Sequence, residues 1–329
     1  MRFVVTGGFG FIGSAVVRYI LENTDHEVAI VDKLTYAADL SNVEWKGNKR
    51  ITTYFYDLSD KHLVDKVIKD YSPHYVMHLA AESHVDNSIA DPSPFIVSNI
   101  IGTFNLLESC KHYAKDLIKF HHISTDEVFG DLDSRNYSSL FTEGDPYHPS
   151  SPYSASKAAS DHLVEAWVRT YKFPAVITNC SNNYGTHHHP EKLIPKSIIS
   201  LLTGKKIPVH GDGKQIRDWL YVDDHAKALY TVVTKGIVGE TYNIGGNAQR
   251  TNLTVINAIQ GALDTLEIAY DKDCIKFVED RAGGDAHYGI NCSKIESELG
   301  VVPSVTFEEG ILKTVKWYVD NKQWWEGKL

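Results

Sequence analysis

Arg2-Phe3-Val4-Val5-Thr6 is a short, nearly unbroken apolar run, which predicts a strand buried on both faces of a parallel sheet. From Phe11 to Asn23 the apolar positions move to helical spacing, at Ile12, Val16, Ile20 and Leu21. Glu27-Val28-Ala29-Ile30-Val31 then reads as a second strand ending at Asp32. The alternation continues with a strand near Thr52–Tyr56, a helix near Lys61–Tyr71, a strand at Tyr75–Leu79 and a helix near Pro94–Tyr113. A strand at Phe120–Ser124, a helix from about Tyr153 to Tyr171 and a strand at Ala175–Asn179 follow. Such alternation predicts an α/β chain, a doubly wound parallel sheet with helices on both faces. Beyond Ser181 the texture changes to loops, charged helices and scattered Pro and Gly, which predicts a smaller C-terminal α/β lobe. Trp219–Thr234 again reads as strand then helix and offers a return to the sheet. The expected division is residues 1–180 with about 214–246 for the sheet domain, and about 181–213 with 247–329 for the second lobe.

Composition narrows the function classes. The 329 residues are 43% hydrophobic and 11% aromatic, enough to bury a large core. A net charge of -9 with no dense Lys/Arg run argues against a general nucleic-acid binder, so an anionic ligand has to be held by local charges. Cys110, Cys180, Cys274 and Cys292 are far apart and form no Cys-x-x-Cys or Cys/His pattern, so neither a metal site nor a disulfide framework is expected. A reducing cytoplasm fits that usage. Met1 to Gly7 runs straight into a strand without a charged leader, and no apolar run reaches the roughly 18 residues of a membrane span. The chain is therefore expected to be neither secreted nor membrane-spanning.

Three groups of residues carry chemistry. Gly7-Gly8-Phe9-Gly10-Phe11-Ile12-Gly13 lies between the first strand and the first helix. Small residues there let the backbone approach a pyrophosphate, and the helix N-terminus supplies N–H groups and a positive dipole end. Asp32, at the end of the second strand, can accept hydrogen bonds from a ribose diol and repel a 2′-phosphate, which predicts NAD over NADP; Lys33 beside it is the opposing signal. Tyr153 and Lys157 stand one helical turn apart, where a Lys⁺ and a positive nicotinamide favour phenolate. Tyr153 can then take a hydroxyl proton as hydride leaves. Thr125-Asp126-Glu127 adds two adjacent carboxylates at a strand mouth, more proton-handling groups than a simple alcohol dehydrogenase needs. The combination suggests hydride removal coupled to an elimination.

These motifs occur with Asp32-Lys33-Leu34-Thr35-Tyr36-Ala37, His78-Leu79-Ala80-Ala81-Glu82-Ser83-His84-Val85-Asp86, Asn182-Asn183-Tyr184-Gly185, Pro190-Glu191-Lys192-Leu193-Ile194-Pro195 and Ile216-Arg217-Asp218-Trp219-Leu220-Tyr221. Together they resemble the dTDP-glucose 4,6-dehydratases of the extended short-chain dehydrogenase/reductase family, over nearly the whole length. The resemblance implies a Rossmann-type fold with a substrate-binding C-terminal lobe, NAD as cofactor and a nucleotide-diphosphate hexose as substrate. It implies that Glu127 is the base for C5, Asp126 the acid for the C6 hydroxyl and Thr125 a partner of the C4 oxygen, with Tyr153 and Lys157 serving hydride removal. An acid at Asp126 must be protonated near neutral pH, which requires an apolar or anionic environment, and the neighbouring Glu127 carboxylate is one source of that shift.

The same resemblance assigns Gly7, Gly10, Phe11, Ile12, Gly13, Asp32, Lys33, Leu34 and Thr35 to the cofactor, with Asp57, Leu58, Leu79, Ala80, Ala81, Ser83, Ser98, Tyr153, Lys157 and Asn183. It assigns Ser83, Thr125, Asn182, Lys192, Leu193, Pro208, His210, Arg217, Asn252 and Arg281 to the substrate, the two arginines as a forked anion site. Three departures bear on the nucleotide base. Arg281-Ala282-Gly283-Gly284-Asp285 lacks the histidine usual in the family, His210 stands where tyrosine is common, and Thr186-His187-His188-His189 replaces a Pro-led loop. Three consecutive histidines point different ways, which favours a solvated or substrate-lining loop over a metal site.

A nucleotide-sugar 4-epimerase such as a UDP-glucose 4-epimerase would use the same cofactor loop, Tyr153 and Lys157, but would have no use for an acid and base at C5 and C6. A catalytically silent NAD-binding protein is the other alternative, and it would be favoured by loss of Tyr153 or Lys157, both present. The helices Gly102–Tyr113 and Tyr153–Tyr171 carry apolar residues beyond one face, including Leu163, Val164, Trp167 and Val168. They offer a homodimer interface, as relatives commonly have, with burial inside the monomer equally open. The aromatic stretch Val315–Trp325 predicts a docked capping helix.

Overall fold

Six strands lead the chain in the computed structural model, which describes residues 1–132, 139–280 and 285–329. They are β1 (Arg2–Thr6), β2 (Glu27–Val31), β3 (Ile51–Tyr54), β4 (Tyr75–His78), β5 (Lys119–Thr125) and β6 (Ala175–Cys180). The remaining strands are β7 (Asn182–Tyr184), β8 (Ile207–His210), β9 (Ile216–Tyr221), β10 (Thr241–Ile244), β11 (Gln249–Thr251) and β12 (Ile275–Val278). A seven-stranded sheet runs β10-β6-β5-β4-β1-β2-β3, and every pairing in it is parallel. The doubly wound parallel α/β sheet read from the apolar alternation is the one observed, and it is of the Rossmann type that the resemblance implies.

Residues alternate between two cores. Phe3 and Val5 join Val28, Ile30 and Met77 under the helices Phe11–Asn23 and Val222–Lys235. Val4 faces the other way with Ala29, Val76 and Phe120, under the helices Lys61–Tyr71, Gly102–Tyr113 and Pro152–Tyr171. Burial on both faces is why these strands read as continuous apolar runs. Each fully buried Ile or Val, such as Ile20 or Ile68, contributes roughly 1.5–3 kcal/mol relative to exposure.

Trp219 corrects one expectation. Its strand, β9, does not return to the large sheet but sits between β11 and β7 in a three-stranded sheet. Only the helix that follows packs on the main sheet, and β10, too short for its pattern to register, completes it beside β6. The expected helix near Pro94–Tyr113 also differs. It contains a π-helical segment, Ile96–Ile101, between Ser93–Phe95 and Gly102–Tyr113. Such segments commonly re-aim side chains at functional sites, and this one carries Ser98 and Asn99.

The C-terminal lobe has its own core. Ile194, Ile198, Val255, Ile259, Ile311, Tyr318 and Trp325 pack together there. Its last helices dock as the aromatic pattern predicts: Trp325 is 1% exposed, and the Trp324 indole donates to Asn42 Oδ1 across to the other lobe (3.0 Å).

The strand order reverses between β1 and β4, so the loops after those strands diverge and leave a crevice at the carboxyl ends of the sheet. Gly7–Gly13, Asp32, Leu79–Ser83, Thr125–Glu127 and Ser181–Asn183 all leave strands at that edge.

Candidate active site

One continuous cleft of about 510 Å³ runs from the glycine loop to the C-terminal lobe. At its first end the backbone leaves no room for side chains. A Cβ at Gly13 would lie 2.0 Å from the Gly7 carbonyl oxygen, and one at Gly7, which has φ +69°, would lie 2.9 Å from the Ala80 backbone. Gly10 caps the helix Phe11–Asn23 without any side-chain hydrogen bond, so the first N–H groups are not satisfied by a capping side chain. That cradle fits a dinucleotide pyrophosphate.

Asp32 is buried and accepts hydrogen bonds from the backbone N–H groups of Phe9 (3.0 Å) and Leu34 (2.9 Å). Burial raises its pKa, and the two N–H bonds and Lys33 work against that. Lys33 is held by Ser98 Oγ (2.7 Å), Glu82 (3.2 Å) and Asp57 (3.8 Å), so its charge is already matched by carboxylates. This weakens it as a partner for a 2′-phosphate.

Tyr153, Lys157 and Asp161 follow each other at one-turn intervals on the helix Pro152–Tyr171, beside β5 and β6. Pro152 and the Ser151 capping box fix where that helix starts. Lys157 Nζ donates to the Ile123 carbonyl (2.8 Å). Tyr153 is 9% exposed, and burial with the Glu127 and Cys180 charges pushes its phenol well above the ordinary value. Without cofactor these surroundings favour the phenol, whereas the expected phenolate is that of the site with NAD bound. The positive nicotinamide invoked in that expectation is a charge the chain does not carry.

Thr125 ends β5, and Asp126–Phe129 forms a short 3₁₀ turn capped by the Thr125 hydroxyl, which accepts from Glu127 N (3.2 Å). Thr125, Glu127, Tyr153 and Lys157 share the cleft wall. Asp126 does not: it is 2% exposed, directly behind that wall, and its Oδ2 has no hydrogen-bond partner. Burial is the main cause that raises its pKa well above the ordinary carboxylate range, with Glu127 second and Asp218 third. Both kinds of environment that such an acid requires are present, with removal of the carboxyl from water raising the pKa more than the Glu127 charge does. This environment favours the protonated form of Asp126, the form a general acid needs.

At the other end the cleft is lined by Asn182, Lys192, Leu193, Pro208, His210, Arg217 and Asn252. The Arg217 guanidinium donates to the Asp285 carbonyl (2.7 Å) and lies 4.3 Å over the Tyr288 ring, which aims it without neutralising it. Asn182 Oδ1, Ser181 Oγ and Trp219 Nε1 are buried on the wall with no partner. Unsatisfied buried polar atoms of this kind suit a polar ligand.

Every residue assigned to the cofactor lines the cleft except Leu34, whose backbone caps Asp32 while the residue is 38% exposed. Every one assigned to substrate lines it except Arg281, which with Gly284 lies outside the described residues. Tyr288, Asp285, Gln215, Glu82 and Asn99 were missed. They act through neighbours: Asn99 bonds both backbone groups of Glu82 and Ser156 Oγ, and the Gln215 side chain bridges Asn252 and Asp280. His188 and His189 line the cleft, His188 stacked on Phe11 at 4.1 Å, while the His187 ring lies tilted against Trp317 at 4.4 Å.

Residues 4–314 match the model of the GDP-mannose 4,6 dehydratase family. The chain is 54% identical to a dTDP-glucose 4,6-dehydratase of Neisseria meningitidis serogroup B, covering 100% of this chain and 96% of that protein. It is 51% identical to dTDP-glucose 4,6-dehydratase 1 of Escherichia coli K12, covering 98% and 94%. Among solved structures, a dTDP-glucose 4,6-dehydratase from Streptomyces venezuelae with NAD bound superposes with a TM-score of 0.93 at 40% identity, over 100% of both chains. A UDP-glucose 4-epimerase from Thermotoga maritima superposes at 0.88 with 29% identity, covering 98% of this chain and 100% of that one.

Proposed function

Since the chain belongs to the GDP-mannose 4,6 dehydratase family, we propose that it is an NAD-dependent hydro-lyase that converts dTDP-glucose to dTDP-4-keto-6-deoxyglucose. The observation that carries this reading is Thr125-Asp126-Glu127 at the end of β5, with Thr125 and Glu127 on the cleft wall beside Tyr153 and Lys157, and Asp126 buried next to Glu127 with its pKa raised. An epimerase shares the fold, as the Thermotoga maritima structure does, but has no step for that acid and base.

The cradle of Gly7, Gly10 and Gly13, with Asp32 at the adenosine ribose and Lys157 at the nicotinamide ribose, would hold NAD. Bound NAD supplies a hydride acceptor for C4 of the hexose and a donor for C6. Tyr153 takes the C4 hydroxyl proton, with Thr125 bonded to the same oxygen. The C4 ketone acidifies the C5–H, and Glu127 removes that proton. Asp126 gives its proton to the departing C6 hydroxyl, which leaves as water. A proton returned to C5 and a hydride to C6 complete the 4-keto-6-deoxy sugar. Arg217 and Lys192 balance the diphosphate on a chain of net charge -9.

Loss of one water from dTDP-glucose, read by mass spectrometry and compared with UDP-glucose, tests the reading. A mass-neutral isomer would select epimerase.

Four buried thiols and no membrane-crossing helix among the described residues support a cytoplasmic location. Ile96, Val97, Ile101 and Phe104 are exposed beside Trp167, and this apolar face supports a homodimer. Phe104→Glu should then yield a monomer in sedimentation velocity; an unchanged sedimentation coefficient would reject the face.

A further inference from the structure

Asp161 is 0% exposed, does not line the cleft, and has no part in the chemistry above. Every neighbour turned toward its carboxylate can donate. His122 Nε2 lies 3.0 Å from Oδ1, Ser124 Oγ donates to Oδ2 at 2.8 Å, Asn179 Nδ2 approaches Oδ2 at 3.5 Å, and the Tyr147 phenol lies against the same group. An ionised carboxylate can accept from all of them at once, with His122 as its Nε2–H tautomer. The partners come from three separate segments: His122 and Ser124 from β5, Asn179 from β6, and Tyr147 from the loop before the helix.

Two of these contacts lead directly to the reacting groups. Asn179 Nδ2 also donates to the Thr125 carbonyl (3.1 Å), so the Asp161 cluster holds the strand end from which Thr125, Asp126 and Glu127 project. Lys157, one turn before Asp161, donates to Ile123 O in the same strand. We propose that Asp161 is a positioning residue for the dehydration: its buried negative charge keeps Lys157 in its cationic form and locks the helix of Tyr153 to the strand of Thr125-Asp126-Glu127. The proposal rests on the reading of the site as a 4,6-dehydratase, because it assigns the helix and the strand one joint register.

The surrounding charges agree with the geometry. Burial raises the Asp161 pKa to about 6, and Lys157 is the first cause acting the other way. Burial lowers the Lys157 pKa, and Asp161 is the first cause acting against it. His122 is held far below its ordinary value by burial and by Lys157, so it contributes a neutral N–H rather than a second cation. His78, 5.4 Å from the His122 ring, is likewise kept neutral. Glu165 is the next acidic group on the helix, and it is exposed.

The test is Asp161→Asn in the full chain loaded with NAD. The carboxamide is nearly isosteric but carries no charge. The expected result is a KM for dTDP-glucose and an NAD affinity within about threefold of wild type, with kcat lower on the order of 10- to 100-fold. The alkaline limit of activity should move to lower pH by about one unit, because Lys157 loses the anion that keeps it charged. An unchanged kcat and unchanged pH limits would overturn the proposal. So would a kcat reduced by one factor at every pH, the result that loss of packing alone gives. Should that variant not fold, Ser124→Ala keeps the carboxylate and withdraws one donor, so the acid limit of activity should rise; an unmoved limit overturns the idea equally. The side-chain carbon resonance of Lys157, followed by NMR against pH, needs no turnover. It should titrate at lower pH in Asp161→Asn, and an unmoved titration rejects the proposal even if wild type removes no water from any hexose nucleotide, which would instead reject the proposed function.

Discussion

The Gly7–Gly13 end of the cleft is assembled from residues close in sequence and shaped by backbone, whereas the Arg217–Tyr288 end draws its side chains from separate segments of the second lobe. At the first end, excluded volume dictates the sequence: no residue larger than glycine fits at position 13. At the second, the aim of Arg217 is set by a carbonyl at Asp285 and a ring at Tyr288, far along the chain. Between the two lies the end of β5, where two adjacent carboxylates are separated by their environments, Asp126 behind the wall and Glu127 on it. Local backbone constraints make the cofactor end rigid in chemistry as well as shape, while the substrate end can vary residue by residue.

Breaking the first end should have the largest effect. Gly13→Ala places a methyl 2.0 Å from the Gly7 oxygen, and is expected to destabilise by about 3 kcal/mol and to abolish NAD retention. Urea denaturation and NAD titration measure both; wild-type NAD affinity in this variant would show that the loop is not the cradle. At the strand between the two ends, Asp126→Asn should slow water loss by about 10²- to 10⁴-fold while NADH formation on substrate addition persists. Equal loss of both steps in stopped-flow absorbance would refute the assignment.

A smaller effect is expected at the far end. Arg217→Lys keeps the charge but loses the planar fork, so KM should rise about tenfold with kcat within about twofold. Steady-state kinetics that show a kcat loss instead would move Arg217 into the chemistry.

The last effect is read on stability against pH rather than on turnover. Asp126 has a raised folded pKa, so folded and unfolded wild type are both protonated at low pH. As pH rises past the ordinary carboxylate value of about 4, only the unfolded chain ionises, and wild type loses stability through the folded pKa, at up to about 1.4 kcal/mol per unit. Asp126→Asn is free of this loss and should become progressively more stable than wild type over that window. A pH-independent difference in denaturation midpoints would mean that Asp126 is ionised in the fold.

What was legible in the sequence follows the same division. The apolar alternation specifies the sheet because each strand is buried on both faces, and the glycine spacing specifies the cradle because a Cβ would collide. The strand at Trp219 misled because its apolar run is satisfied by a small sheet in the other lobe, and four residues at Thr241–Ile244 are too few to carry a period. Tyr288, Gln215 and Asp161 were invisible for a different reason. Each acts on a group remote in sequence, Tyr288 by its ring under Arg217 and the other two by hydrogen bonds, and none stands in a motif whose spacing implies that contact. For Tyr153 the sequence shows Lys157 nearby but not the burial and the Glu127 charge that oppose a phenolate, which a bound positive nicotinamide has to offset.

The central claim is that one site removes a hydride, eliminates water and gives the same hydride back. Wild-type protein given dTDP-glucose carrying deuterium at C4 tests it most directly. The expected product is lighter by one water and retains the label, now at C6, with no net NADH at the end of the reaction. A product of unchanged mass, or a dehydrated product that has lost the deuterium, would contradict it.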